Sequence, residues 1–142
     1  MNRTAVLFLC TGNTARSQMA EAFLRRYGGD RFEAASAGFE PSEIHPMTRQ
    51  VMEEVGYDLA GQRSKSVDEY LGKKHFGYLV TVCAEAEKQC PKAFPGVGQR
   101  AHWPFDDPAA HEGAEEERLE TFRRVRDEIE AKVKAWVEEV GR

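Results

Sequence analysis

The chain lacks an apolar run long enough to cross a bilayer. Its N-terminal stretch of that kind, Ala5 to Leu9, is five residues, against roughly 20 for a spanning helix. It carries no cleavage pattern, so no leader is expected. Cysteine is scarce, three in 142 residues, and an odd count excludes a fully paired disulfide framework within the chain. A cytoplasmic, reducing setting is the expectation, where cysteines serve catalysis, metal binding or packing. Basic clusters are missing too. The net charge is −4 and the Lys and Arg residues are dispersed, which argues against a nucleic-acid footprint and a membrane-surface helix. There is no repeat, low-complexity tract or long linker. Asparagine and glutamine are few while Glu and Arg abound, a leaning shared with thermophile proteins. Residues 1–142 are expected to form a single domain, large enough for a real core.

What is present concentrates in one segment, Cys10-Thr11-Gly12-Asn13-Thr14-Ala15-Arg16-Ser17. The apolar run before it reads as a buried strand, and Ser17 to Leu24 after it opens an amphipathic helix. A strand-loop-helix junction built of small residues turns successive N–H groups inward, making an anion cradle at a positive helix end. Gly12 lets the backbone bend, and Asn13 either bonds the loop or takes a left-handed turn. Thr11, Gly12, Asn13, Thr14, Ala15 and Arg16 are the candidate oxyanion-binding residues, with Arg16 as a two-pronged clamp. In such a cradle Cys10 is expected to lose its proton easily and to act as a nucleophile on a phosphate-like anion. The plainer reading of Cys10, a packed cysteine at a strand end, leaves the Arg16-Ser17 spacing unexplained. Ser17 can donate to the Cys10 thiolate or cap the helix.

Strand and helix patterns alternate along the chain. Strands are expected at Ala5–Leu9, Phe32–Ser36, Tyr78–Val82 and Ala101–Trp103, and helices at Ser17–Tyr27, Pro46–Val55, Val67–Leu71 and Glu115–Val140. In the last helix an apolar stripe runs Leu119, Phe122, Val125, Ile129, Val133, Trp136, Val137, Val140, with the charged residues read as a solvated face. The fold class is α/β: a central four-stranded parallel sheet with helices on both faces and the anion loop after the first strand.

Cys83 and Cys90 are seven positions apart, across a connector of strong helix formers that Pro91 would end. In a helix the two thiols share a face but stand roughly 10 Å apart along the axis. A disulfide needs Cα atoms within about 7 Å, so pairing them requires the segment to unwind. Close Cys-x2–4-Cys spacing is absent, and none of His45, His75, His102 and His111 completes a ligand pattern, so no metal is expected. Asp106 and Asp107 precede Pro108. An aspartate on a proline-stiffened loop can hold a carboxyl over the cradle and protonate a leaving oxygen, or can simply form a turn.

The Cys-x5-Arg-Ser signature resembles that of the low-molecular-weight tyrosine phosphatase fold. The remainder resembles the thioredoxin-coupled arsenate reductases built on that fold: Ser36-Ala37-Gly38, Glu54-Val55-Gly56, Val80-Thr81-Val82-Cys83, Lys88-Gln89-Cys90-Pro91, His102-Trp103-Pro104-Phe105-Asp106-Asp107-Pro108-Ala109 and Arg123 to Ile129. The resemblance implies a relay. Cys10 attacks arsenate, Cys83 attacks Cys10 as arsenite leaves, and Cys90 attacks Cys83, presenting a disulfide to thioredoxin. It assigns the acid to Asp107 rather than Asp106. It implies thioredoxin as the reductant, with glutaredoxin and glutathione as the alternative, and no tightly bound cofactor. Phosphate and sulfate would compete with arsenate. The chain is expected to be a monomer. Some members bind potassium through positions matching Asn13, Glu21, Ser36 and an aspartate. Here Lys65 stands at the aspartate's place, and its ammonium is expected to replace the ion, unless it is an ordinary surface lysine.

Two rivals remain at this point. A phosphatase would use Cys10, Arg16 and Asp107, but would usually follow the Asp-Pro pair with aromatics, whereas Ala109-Ala110 stand here, and it has no use for Cys83 and Cys90. A non-catalytic thiol sensor of arsenite or peroxide would use three thiols without turnover.

Overall fold

Val6, Leu7, Phe8 and Leu9 expose none of their surface. An apolar run buried on both sides belongs inside a parallel sheet, and strand β1 (Thr4–Cys10) lies between two neighbours. The computed structural model describes residues 3–70, 72–83, 88 and 96–140. After β1 come α1 (Arg16–Gly28), β2 (Phe32–Gly38), α2 (Pro46–Glu54), β3 (Phe76–Thr81), β4 (Val97–His102) and α3 (Glu115–Val140). The four strands form one parallel sheet in the order β2-β1-β3-β4. Leaving β1, the chain goes first to β2 on one side and later to β3 on the other. That reversal opens a crevice at the carboxyl ends of β1 and β3, the usual ligand position in such sheets.

α1 packs chiefly against α3 and β2, and α2 against α3. The α3 stripe faces the core as its spacing predicts, with Leu119, Phe122, Val125, Ile129, Val133 and Val137 buried. Trp136 is only partly buried, yet its ring meets Phe32 of β2, Tyr78 of β3 and Trp103 after β4 at 5.0–6.0 Å between centroids. Leu7 and Leu79, on the opposite pleat from Phe8 and Tyr78, are also fully buried, so both faces of the sheet are covered. Right-handed crossovers send connections to both faces when the strand order reverses. No helix among the described residues is long and apolar enough to cross a membrane.

Strand β3 begins two residues early, at Phe76, and ends at Thr81 rather than Val82; three further elements and one side chain differ from expectation. β2 runs on through Gly38, because Gly38 pairs with Cys10. Strand β4 begins at Val97, four residues early; Gly98, Gln99 and Arg100 are exposed on this edge strand, so no apolar alternation announces it. The expected helix at Val67–Leu71 is a short 3-10 turn, Val67–Glu69, capped by the Ser66 hydroxyl accepting from Asp68 N–H; Leu71 lies outside the described residues. Finally, Arg126 leaves the solvated face of α3. It is buried, donates to the Val51 carbonyl at 2.9 Å and pairs with Glu54 at 2.8 Å. A guanidinium can be buried when its donors meet a carbonyl and a carboxylate, and here it joins α2 to α3.

Candidate active site

Cys10 ends β1 and is buried. The loop beyond it is held from outside by its carbonyls. Thr11 O accepts from Glu40 N–H at 2.8 Å, Gly12 O from Ser42 N–H at 3.1 Å and from the Ser64 hydroxyl at 3.1 Å, and Thr14 O from His45 N–H at 3.1 Å. These bonds fix the carbonyls of Thr11, Gly12 and Thr14 and with them the path of the loop.

Asn13 locks the turn. It is fully buried at φ 55°, a left-handed position that asparagine tolerates. Its Nδ2 donates to the Ser17 hydroxyl at 2.8 Å, and its Oδ1 accepts from Lys65 N–H at 2.9 Å. Asn13 takes the left-handed turn, while its side chain bonds Ser17 and Lys65 rather than the backbone of its own loop. Ser17 does not cap α1: Ala15 occupies that position and no side chain caps it. Having accepted from Asn13, the Ser17 hydroxyl keeps one hydrogen to donate.

Two loop supports carried little sequence signal. Gln18 is fully buried and donates to Asn13 O and Arg63 O, each at 3.0 Å. In sequence it stood only as a polar residue within the matched Arg16-Ser17-Gln18-Met19-Ala20-Glu21 run, with no role marked. Gly38 matters for what it lacks: a Cβ there would sit 2.6 Å from Thr11 O and 3.0 Å from Asn13 N.

Arg16 opens α1 and is largely buried. Its Nη1 donates to Phe105 O at 3.0 Å, and its Nη2 lies 3.7 Å from Asp107 Oδ2. Its Nε is buried with no hydrogen-bond partner among the described residues, as expected of a donor meant for a ligand. Asp107 is both the turn-former and the cavity carboxylate. Its Oδ1 accepts from Ala109 N–H at 3.0 Å, capping the Pro108–Ala110 turn, while Oδ2 faces Arg16. Asp106 turns instead to Arg124, at 3.2 Å. A cavity of about 590 Å³ is lined by Thr11, Arg16, Cys83 and the Pro104–Asp107 segment.

Cys83 enters this cavity from just beyond β3. It is buried, close enough to Cys10 for the two thiols to act on one another, and its sulfur lies 3.6 Å from the Thr11 hydroxyl. This contact overturns one expectation. The Cys10 thiol is pushed up, not down: the Cys83 thiol raises it most and burial adds to that, while Arg16 and the Thr11 backbone N–H pull it back. A second sulfur 73 positions along the chain cannot be read from the loop alone. Cys10 and Cys83 are not joined in a disulfide. Cys90, and all of the connector before it except Lys88, lie outside the described residues.

Lys65 is buried, not a surface lysine. Its ammonium donates to Arg63 O at 2.8 Å and stands 3.8 Å from Glu21 Oε1, the oxygen that accepts from the Ser36 hydroxyl at 2.6 Å. Burial pushes its pKa down, against the pull of Glu21. No cluster of His, Cys, Asp and Glu able to hold a metal occurs among the described residues.

A strand-end thiol, the loop that follows it and the Arg16 guanidinium stand together at one end of the parallel sheet. The chain belongs to the low molecular weight phosphotyrosine protein phosphatase family, whose sequence model matches residues 5–142. It is 44% identical to an arsenate reductase of Halalkalibacterium halodurans over 138 residues, 97% of this chain and 98% of that one. It is 42% identical, with the same coverage, to an arsenate reductase of Bacillus subtilis. A solved arsenate reductase in its phosphate binding state superposes with TM-score 0.81 at 28% identity, covering 96% of this chain and 98% of that one.

Proposed function

We propose that this protein reduces arsenate to arsenite in the cytoplasm, as a monomeric single domain, by a relay of three thiols. The observation that carries the reading is buried Cys83 beside Cys10, lining the cavity that also holds Arg16 and Asp107. A hydrolase of this fold needs one thiol. A reductase needs a second within reach of the first.

Arsenate binds on the amides of residues 11–16 and the Arg16 guanidinium. The Cys10 thiol passes its proton to the Asp107 carboxylate as its sulfur attacks arsenic, and Asp107 hands that proton to the departing oxygen, which leaves as water as the As–O bond breaks. Ser17 donates its remaining hydrogen to the Cys10 sulfur. Cys83 then attacks the Cys10 sulfur. An S–S bond forms, the S–As bond breaks, and its electron pair stays with arsenic, which leaves as arsenite. Two electrons pass to arsenic and two thiols become a disulfide, so the step balances. Cys90 attacks Cys83 and frees Cys10. Thioredoxin, or glutaredoxin with glutathione, reduces the Cys83–Cys90 disulfide.

The test is arsenate-dependent NADPH oxidation with thioredoxin and thioredoxin reductase, for wild type and for Cys10→Ser, Cys83→Ser and Cys90→Ser. All three substitutions should abolish turnover, while cleavage of para-nitrophenyl phosphate survives in the last two. No arsenate turnover, with phosphatase activity needing only Cys10, would make the protein a phosphatase.

A further inference from the structure

His45 stands where three parts of the site meet. Its N–H donates to Thr14 O at 3.1 Å, one of the bonds that fix the loop carbonyls. Its Nδ1 accepts from Met47 N–H at 3.1 Å and so caps α2, with Pro46 as the first helical residue. Its ring lies against Phe122 of α3, 4.9 Å between centroids. The charges acting on it are Arg118 of α3 and Asp107 of the cavity loop. Glu43 and Arg49, its charged chain neighbours, are exposed.

An imidazole that accepts at Nδ1 is neutral, with its hydrogen on Nε2. Protonation places a hydrogen on Nδ1, which ends the cap. It also sets a positive charge at the positive end of α2. The cap fixes the backbone at residue 45, and that backbone N–H fixes Thr14.

We infer that neutral His45 is a positioning residue for the anion loop, and that its protonation releases the α2 cap, loosens Thr14 and weakens oxyanion binding on the acid side. Burial, first, and then Arg118 push the imidazole below its ordinary value, with Asp107 partly opposing. The cap is therefore made at neutral pH and lost as pH falls. The inference rests on reading residues 11–16 as an oxyanion cradle, and the test separates the two.

Inorganic sulfate is the probe, because it stays a dianion throughout the range used. Its dissociation constant is measured by calorimetry between about pH 8 and pH 5 for wild type, His45→Asn, His45→Ala and Arg16→Ala. Asparagine caps helices well and does not titrate; alanine does not cap. The ratio of wild-type to His45→Asn dissociation constants should be near unity at pH 8 and rise roughly fivefold by pH 5, the scale of a lost cap. His45→Ala should bind sulfate more weakly than His45→Asn at every pH. A flat ratio, or tighter wild-type binding in acid as an imidazolium acting by charge would give, overturns the role of His45 and leaves the cradle standing. No sulfate binding by wild type, or binding indifferent to Arg16→Ala, overturns both.

Discussion

The Lys65 ammonium lies 3.8 Å from Glu21 Oε1, and the other oxygen of that carboxylate takes Arg25 at 2.5 Å. The buried carboxylate is thus answered by side chains of this chain. Turnover should not change when sodium is exchanged for potassium at constant ionic strength. Lys65→Asp should make it potassium-sensitive. Lys65→Met should lower stability by about 1–3 kcal/mol in urea unfolding, since it strips one partner from a buried charge. Strong potassium activation of the wild type would mean the ammonium does not replace the ion.

The Cys83 thiol favours the protonated form of Cys10. In a Cys90→Ser background, the rate of Cys10 alkylation by iodoacetamide should rise with pH along its thiolate fraction. Removing the Cys83 sulfur removes the largest cause that raises the thiol. Cys83→Ala should therefore move the midpoint to lower pH and speed alkylation at neutral pH. Arg16→Met should do the opposite, because Arg16 favours the thiolate. Peptide-resolved mass spectrometry reads both, and a midpoint unmoved by Cys83→Ala would rule out the contact as the cause.

Gly38→Ala should damage the loop without touching any reacting group. The added methyl meets the Thr11 carbonyl and the Asn13 amide nitrogen, both backbone. Relief requires the loop to shift, at a cost of about 1–3 kcal/mol. A lower melting temperature together with weaker sulfate binding is the expected pair. Unchanged anion affinity would show that the loop does not depend on this close approach.

The two adjacent aspartates should behave differently. Asp107→Asn removes the carboxyl beside Arg16 and should cut kcat by about 100-fold, the usual range for loss of a general acid. Asp106 is an exposed partner of Arg124, and Asp106→Asn should change kcat little, as exposed pairs contribute little. Equal losses would mean the whole loop, not one carboxyl, sets the rate.

The anion loop was legible because its chemistry is local. Cys10, Gly12, Asn13 and Arg16 sit within seven residues, and strand and helix flank them. The long helix was legible from its stripe, whose 26 residues run from Glu115 to Val140 as expected. What escaped depends on distance or on backbone. The raised Cys10 thiol needs Cys83 beside it. Gly38 and His45 act through the backbone of residues far away in sequence; Gly38 lay in the Ser36-Ala37-Gly38 match, which did not say what it touches, and His45 had no motif. Strand β4 is an edge with polar side chains, and Arg126 became a buried joint because Val51 O and Glu54 happened to face it.

Both tryptophans of the chain, Trp103 and Trp136, touch one another. Trp103 also packs on Phe8, two residues before Cys10, and leads directly into the cavity loop. The intrinsic emission of this protein therefore comes from a single spot, under the strand that carries the reactive sulfur. Lys132 lies over the Trp103 ring at 5.4 Å, a close cation that quenches or shifts that light. A fluorimeter then follows the seam between sheet and α3 with no attached dye, and any redox or ligand event that disturbs β1 or the cavity loop becomes visible as a change of colour or brightness.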